Sequence, residues 1–321
     1  TSPAQAQSNG DGSPHSRFGL GTLTDFSSSQ SQAMGGGAYA VRSLNYNSTA
    51  NPALWSDQVF TRLTGGASLQ RTNASQSDAQ SSLLTAGQIE GLQLSFPLYE
   101  RTLGVGLSFK PYTQHNYRVQ RRQTLPSDDV SYERNFRGKG GLHRFRAGLG
   151  YRFNEIVSVG ASVDLLFGIL EKERSAEFDN SSFRNVNVTD ATRLSGITGT
   201  LGGQLTFADV LQEDDALSVG TSVALPTNLD GTRTLTLGEG RNLTPDTLGT
   251  PVKGEVSLPW RSRLGVAYQP NATWTFTLDG LYAPGSVELL GSRRGHVEAG
   301  AVVVHRVGRR RREPVGREQR V

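Results

Sequence analysis

From Gln58 onward, apolar and polar residues alternate with a period of two, which predicts half-buried β-strands. The pattern sets strands at about 58–70, 86–98, 102–117, 142–153, 157–170, 194–207, 216–225, 260–268 and 273–283. In the fifth, Val157, Val159, Ala161, Val163, Leu165, Phe167 and Ile169 oppose Ser158, Ser162 and Asp164. In the fourth, Phe145, Ala147, Leu149, Tyr151 and Phe153 oppose Arg144, Arg146 and Arg152. A tenth, less regular strand is predicted over 296–304.

The connections separate a soluble sandwich from a membrane barrel. They run long at 71–85, 118–141, 171–193 and 226–259, and short at 99–101, 154–156, 208–215 and 269–272. Strict long–short order is the mark of outer-membrane barrels, whose turns are brief on one side and extended on the other. A Greek-key sandwich has no reason to keep it. Lipid offers backbone groups no partner, so a spanning sheet must close on itself. The expected fold is therefore an all-β, transmembrane antiparallel barrel, with the apolar face on lipid and the Ser/Thr/Gly/Arg face on the lumen. Phe96, Tyr99, Phe109, Tyr151, Phe153, Tyr268, Trp274 and Tyr282 fall toward strand ends, where interfacial girdles sit.

Residues 7–57 read differently. They hold an apolar knot at Phe18 and Leu20, a short helix predicted within Gln30–Val41, a Gly-rich run, and an Asn51-Pro52-Ala53-Leu54 corner. The run Met34, Gly35, Gly36, Gly37, Ala38 and Ala40, then Asn51-Pro52, ahead of a barrel-like strand series, resembles the outer-membrane long-chain fatty acid transporter (FadL) family. The resemblance covers about 33–283 and lies in layout more than in any single motif. It implies a barrel of about fourteen strands. It also implies an N-terminal hatch inside the lumen that includes Met34, Gly35, Gly36, Asn51 and Pro52; the knot at Phe18 and Leu20 reads as an anchor for that plug. It implies as well a kink in the third strand that opens a lateral gap. Pro111 is the candidate for that kink, because proline interrupts a ladder.

Composition narrows the function classes. Cysteine is absent, which excludes disulfides and thiolate metal sites. The five His, at 15, 115, 143, 296 and 305, show no metal-ligand spacing. The net charge of +4 belongs to the end of the chain. Without 305–321, 26 basic residues stand against 27 acidic ones, so a nucleic-acid-binding body is not expected. That basic tail reads as disordered or non-native, and Ala4-Gln5-Ala6 reads as the end of a secretory signal within 1–6. The barrel then spans 58–304, and fewer strands than the family's number point to a smaller barrel or an altered C-terminal portion.

No GxSxG, P-loop or strand-bound GxGxxG is present, so neither an enzyme nor a cofactor is expected. The lumen parity carries Arg62, Lys110, Arg144, Arg146, Arg261 and Arg263. One reading is a lining that draws in the carboxylate of an amphiphile, since a guanidinium binds a carboxylate at two points. The other is ordinary cross-strand ion pairing with Asp164 and Asp279. The expected partners are membrane lipids, a hydrophobic small molecule and outer-membrane proteins. The expected function is passive outer-membrane transport in a Gram-negative bacterium. The alternative is a scaffold barrel that presents its long loops to protein partners.

Overall fold

A computed structural model describes residues 14–24, 28–34, 39–43, 48–75, 81–124, 130–180, 182–239, 246–271, 273–284, 296–299 and 303–306. The expected signal end at 1–6, Gly35, Gly36 and the basic tail from 307 lie outside them.

Among the described residues the chain forms a large antiparallel sheet, in which most ladders join strands adjacent in sequence, and a separate two-stranded ladder near its N-terminus. Apart from the two-residue strand Asp246–Thr247, the strands of the large sheet are β1 (Arg62–Ser75), β2 (Ser81–Tyr99), β3 (Leu103–Pro111), β4 (Tyr117–Thr124), β5 (Ser131–Arg152) and β6 (Val157–Phe178). They continue as β7 (Val186–Ala208), β8 (Ala216–Ala224), β9 (Thr227–Glu239), β10 (Val252–Leu258), β11 (Arg261–Gln269) and β12 (Trp274–Ala283). The short β13 (His296–Ala299) and β14 (Val303–Arg306) both pair with β12, in the place expected for the tenth strand. Among the described residues no ladder joins β1 to the other end of the sheet.

The two faces match the alternation. Leu149, Val163 and Phe276 point outward, with 49%, 55% and 37% of their surface exposed. Ser108, Ser162, Asp164, Thr200, Gln204 and Ser222, on the opposite parity, are buried. A sheet that shows its apolar side and hides its polar side is turned inside out relative to a soluble protein. This is the wall of a transmembrane barrel.

Two aromatic girdles border the apolar band. Phe109, His143 and Phe167 cluster on one rim with ring centroids 5.5 to 6.3 Å apart, and Trp260 lies 5.4 Å from Tyr282. Tyr151 with Phe153, and Trp274 with Phe276, mark the rim near the short turns. From His143 on β5 to Phe153 just past its end, the chain covers roughly 23 Å of height at a 45° tilt, close to the roughly 25 Å of an outer-membrane band.

The four long connections were expected as loops, and the structure corrects this. β5, β6 and β7 have 22, 22 and 23 residues and run on into water well past the outer girdle. β4, β9 and β10 also fall within segments expected as loops. Above the lipid both faces are wet, so period-two alternation fades while backbone pairing continues. Three of the long strands break where they leave the band. β3 stops at Pro111, β8 and β9 are separated by Leu225-Pro226, and β10 and β11 by Pro259-Trp260. Proline cannot donate to a ladder, so each break falls where one would be lost. The part above these breaks forms a water-exposed crown.

Candidate functional site

The segment Ser48–Gln58 lies against the inner wall. Asn51 caps the 3-10 helix Pro52–Asp57, its Oδ1 accepting from Ala53 N at 3.0 Å. Its Nδ2 donates to the carbonyls of Tyr39 (3.2 Å) and Gly203 (3.0 Å), tying hatch to barrel. Trp55 is wholly buried and donates its indole N–H to Ser48 O at 2.9 Å.

The hatch fits because the wall beneath it has no side chains. Gly104, Gly150, Gly160 and Gly202 stand directly opposite one another across β3, β5, β6 and β7. A Cβ at Gly104 would come within 1.8 Å of Trp55 O, and one at Gly106 within 2.2 Å of the Trp55 ring. Cβ atoms at Gly160 and Gly202 would meet Pro52 C at 2.3 Å and Asn51 Oδ1 at 2.2 Å. The row continues one step along at Gly220 and Gly265, where Tyr39 passes. This glycine belt is the feature that sequence reasoning missed. Its signal was glycine at lumen parity on successive strands.

Side chains from the wall clamp what the belt admits. Arg146 and Asp164 form a two-point ion pair with both bonds at 2.6 Å. Arg146 also donates to Thr49 O at 2.6 Å and Thr200 Oγ1 at 2.7 Å. Lys110 Nζ reaches Thr49 Oγ1 at 3.1 Å. Arg42 and Arg152 converge on Asp57. Gln204 Nε2 donates to Ala40 O at 2.8 Å, and Asp279 accepts from Tyr39 N at 3.3 Å.

The expected cationic residues therefore do not form one site. Arg146 is committed to Asp164 and the hatch, and Lys110 holds the hatch as well. Arg144 and Arg261 lie over the Tyr112 ring, at 5.6 and 5.0 Å, and Arg263 over Tyr39 at 5.3 Å. Arg62 starts β1 opposite Ser95, away from the others in the sheet order. Met34 is buried with Ala40, Val41 and Ala267. Phe18 is corrected as an anchor: it is 73% exposed, and Leu20 is the buried residue. The leader turns at the positive-φ Gly19 and Gly21, which aims Leu20 rather than Phe18 at the core. The predicted helix shortens to Ser29–Ala33.

Above the hatch, the inward parity turns apolar. Leu142, Leu166, Leu170, Leu194, Leu229 and Leu258 meet Leu20 and Tyr112 in one buried cluster. Beside it the wall has a seam. Pairing between β2 and β3 ends at Leu92↔Phe109. Gly91 sits there at φ +127°, where a side chain would be strained and would strike Phe109 O at 2.5 Å. From Gly91 back to Ser81, β2 pairs only with β1 among the described residues. Past Pro111 the chain turns inward, and Thr113–Gln114 pair with Thr22–Leu23 of the leader. Tyr112, Thr113 and His115 are buried there, with Ser16 Oγ donating to Asn116 O at 2.7 Å.

A family description, BamG, matches residues 1–284. The chain belongs to the BamG family. BamG membership and the outward apolar band place it in the outer membrane of a Gram-negative bacterium. No curated protein sequence matches this BamG-family chain. Among solved structures, it is similar to the crystal structure of the P. putida toluene transporter TodX, with 18% identity and a TM-score of 0.48, covering 88% of this chain and 76% of that one.

Proposed function

We propose that the barrel passes hydrophobic or amphipathic small molecules, fatty-acid-like in character, from outside the cell through its wall, without covalent chemistry or a cofactor. The observation that carries this reading is the seam. Where β2 and β3 part and Pro111 turns the chain inward, the leucine cluster lies directly inside the wall. An apolar ligand that displaced Leu20 and Tyr112 from those leucines would leave sideways into the bilayer without crossing water. The hatch, seated on the glycine belt, would close the straight path to ions and water.

The test is uptake of a fluorescent long-chain fatty acid by liposomes carrying the full-length protein. Uptake above that of protein-free vesicles, reduced severalfold by Pro111→Val, which restores a ladder donor, is the expected result. Uptake equal to that of protein-free vesicles sinks the transport reading.

A second reading, a scaffold for protein partners, is favoured by the crown. Strands that run about twice the height needed to cross the band offer a large ordered surface in water. It predicts site-specific photo-crosslinks from Arg193 to defined outer-membrane proteins in intact cells.

A further inference from the structure

The upper part of the seam has an unusual edge. β4 pairs with β5 and, among the described residues, its other edge pairs with nothing. An open edge exposes backbone N–H and C=O groups ready to take another strand. β4 reads YRVQRRQT, and Arg118, Arg121 and Arg122 are exposed. Arg122 is paired with Asp179. Arg118 and Arg121 make no ion pair among the described residues.

The register sharpens the point. Arg118 stands directly opposite Arg137, and Arg121 directly opposite Arg134. Like charges in facing positions destabilise a strand pair. The two pairs lie on opposite faces of the sheet, since their positions on β4 are an odd number of residues apart. Arg134 also lies 5.3 Å from the Phe136 ring, with Arg17 of the leader 5.1 Å from the same ring. Positive charge is thus gathered at one unpaired edge, most strongly on the face of Arg121, Arg134 and Arg17, since Arg137 faces Glu173 on its other side. Positive edge charges deter basic and neutral strands, and they select an acidic one.

We propose that the open edge of β4 accepts an extended, acidic segment of a partner protein as an added strand. Main-chain hydrogen bonds along Tyr117–Thr124 would supply affinity. Carboxylates on its two faces would relieve the Arg118/Arg137 and Arg121/Arg134 pairs and supply specificity. This site lies above the girdle of Phe109 and His143, so it is separate from the bilayer-level part of the seam.

The experiment uses the full-length protein in non-ionic detergent and a short fluorescent peptide of alternating glutamate, valine and threonine. Saturable binding is expected, weakened severalfold between about 50 and 200 mM salt. Arg118→Gln/Arg121→Gln, confirmed as folded by heat-modifiable migration, should weaken it at least about tenfold. A peptide with alternate N-methylated backbone amides should not bind. Equal binding of the N-methylated peptide overturns strand addition. Equal binding of a lysine-for-glutamate peptide, or no binding of the acidic one, overturns the proposal as a whole.

Discussion

Arg146 and Asp164 face each other in register on adjacent strands and are joined by two bonds of 2.6 Å, both side chains almost fully buried. Removing one partner strands the other charge inside the wall. Arg146→Met should therefore cost about 3–5 kcal/mol, and Arg146→Met/Asp164→Leu should recover much of the loss. Urea unfolding in detergent, followed by tryptophan emission, measures both. An equal loss in the single and double variants would show that the clamp on Thr49, rather than the stranded charge, sets the cost.

The glycine belt makes a positional prediction. At Gly104 an added methyl meets Trp55 O, whereas at Gly280 nothing lies within 4 Å. Gly104→Ala should loosen the hatch at a cost of about 1–3 kcal/mol, and Gly280→Ala should be close to neutral. Ionic conductance in planar bilayers reads the difference. It should rise for the first variant and stay at the wild-type level for the second.

At Asn51 the isosteric change should be the more harmful one. Its amide donates to two carbonyls, so Asn51→Asp would aim a carboxylate at Tyr39 O and Gly203 O. Asn51→Ala should lose about 1–3 kcal/mol, and Asn51→Asp should lose more at neutral pH. Protease cleavage of the hatch in intact barrels ranks the two.

The three tryptophans sit in different surroundings: Trp55 in the hatch, Trp260 and Trp274 at the two girdles. Brominated lipid should quench wild-type emission strongly. Trp260→Phe/Trp274→Phe leaves only Trp55, and quenching should nearly vanish. Strong residual quenching would place the hatch against lipid and contradict the lumenal assignment.

Asp215 closes the short turn between β7 and β8. Burial works against its charge, but N–H groups of Leu211, Val210 and Gln212 and the Tyr268 hydroxyl outweigh it and hold its pKa below the ordinary carboxylate value. A depressed folded pKa stabilises fully above the unfolded value of about 3.9 and is lost as pH falls through the folded one. Acid unfolding should therefore show a step below about pH 4 that is absent in Asp215→Asn.

How far the sequence could be read depended on what each residue touches. Positions such as Leu149 and Val163 were legible because lipid outside and water or hatch inside impose a strict two-residue rhythm. Strand pairs such as Arg137↔Glu173 were not, since charged residues serve on either face once the sheet stands in water. Asn51 and Pro52 stood out by their corner, and both are buried against the wall at Gly202. The wall that receives them was missed because its contribution is an absence of side chains. Arg146 was found by parity, but its use depended on Asp164 and Thr49 arriving from elsewhere in the chain.

The prolines at 111, 226 and 259 have a consequence for how such a protein can change. Each lets its strand stop and restart, so the register of the upper segment need not dictate that of the lower. The extracellular half can be lengthened, recharged or exchanged while the lipid-facing half keeps its fit to the bilayer. Chimeras cut at these residues should insert and fold like the parent, yet carry whatever binding habits the grafted half brings.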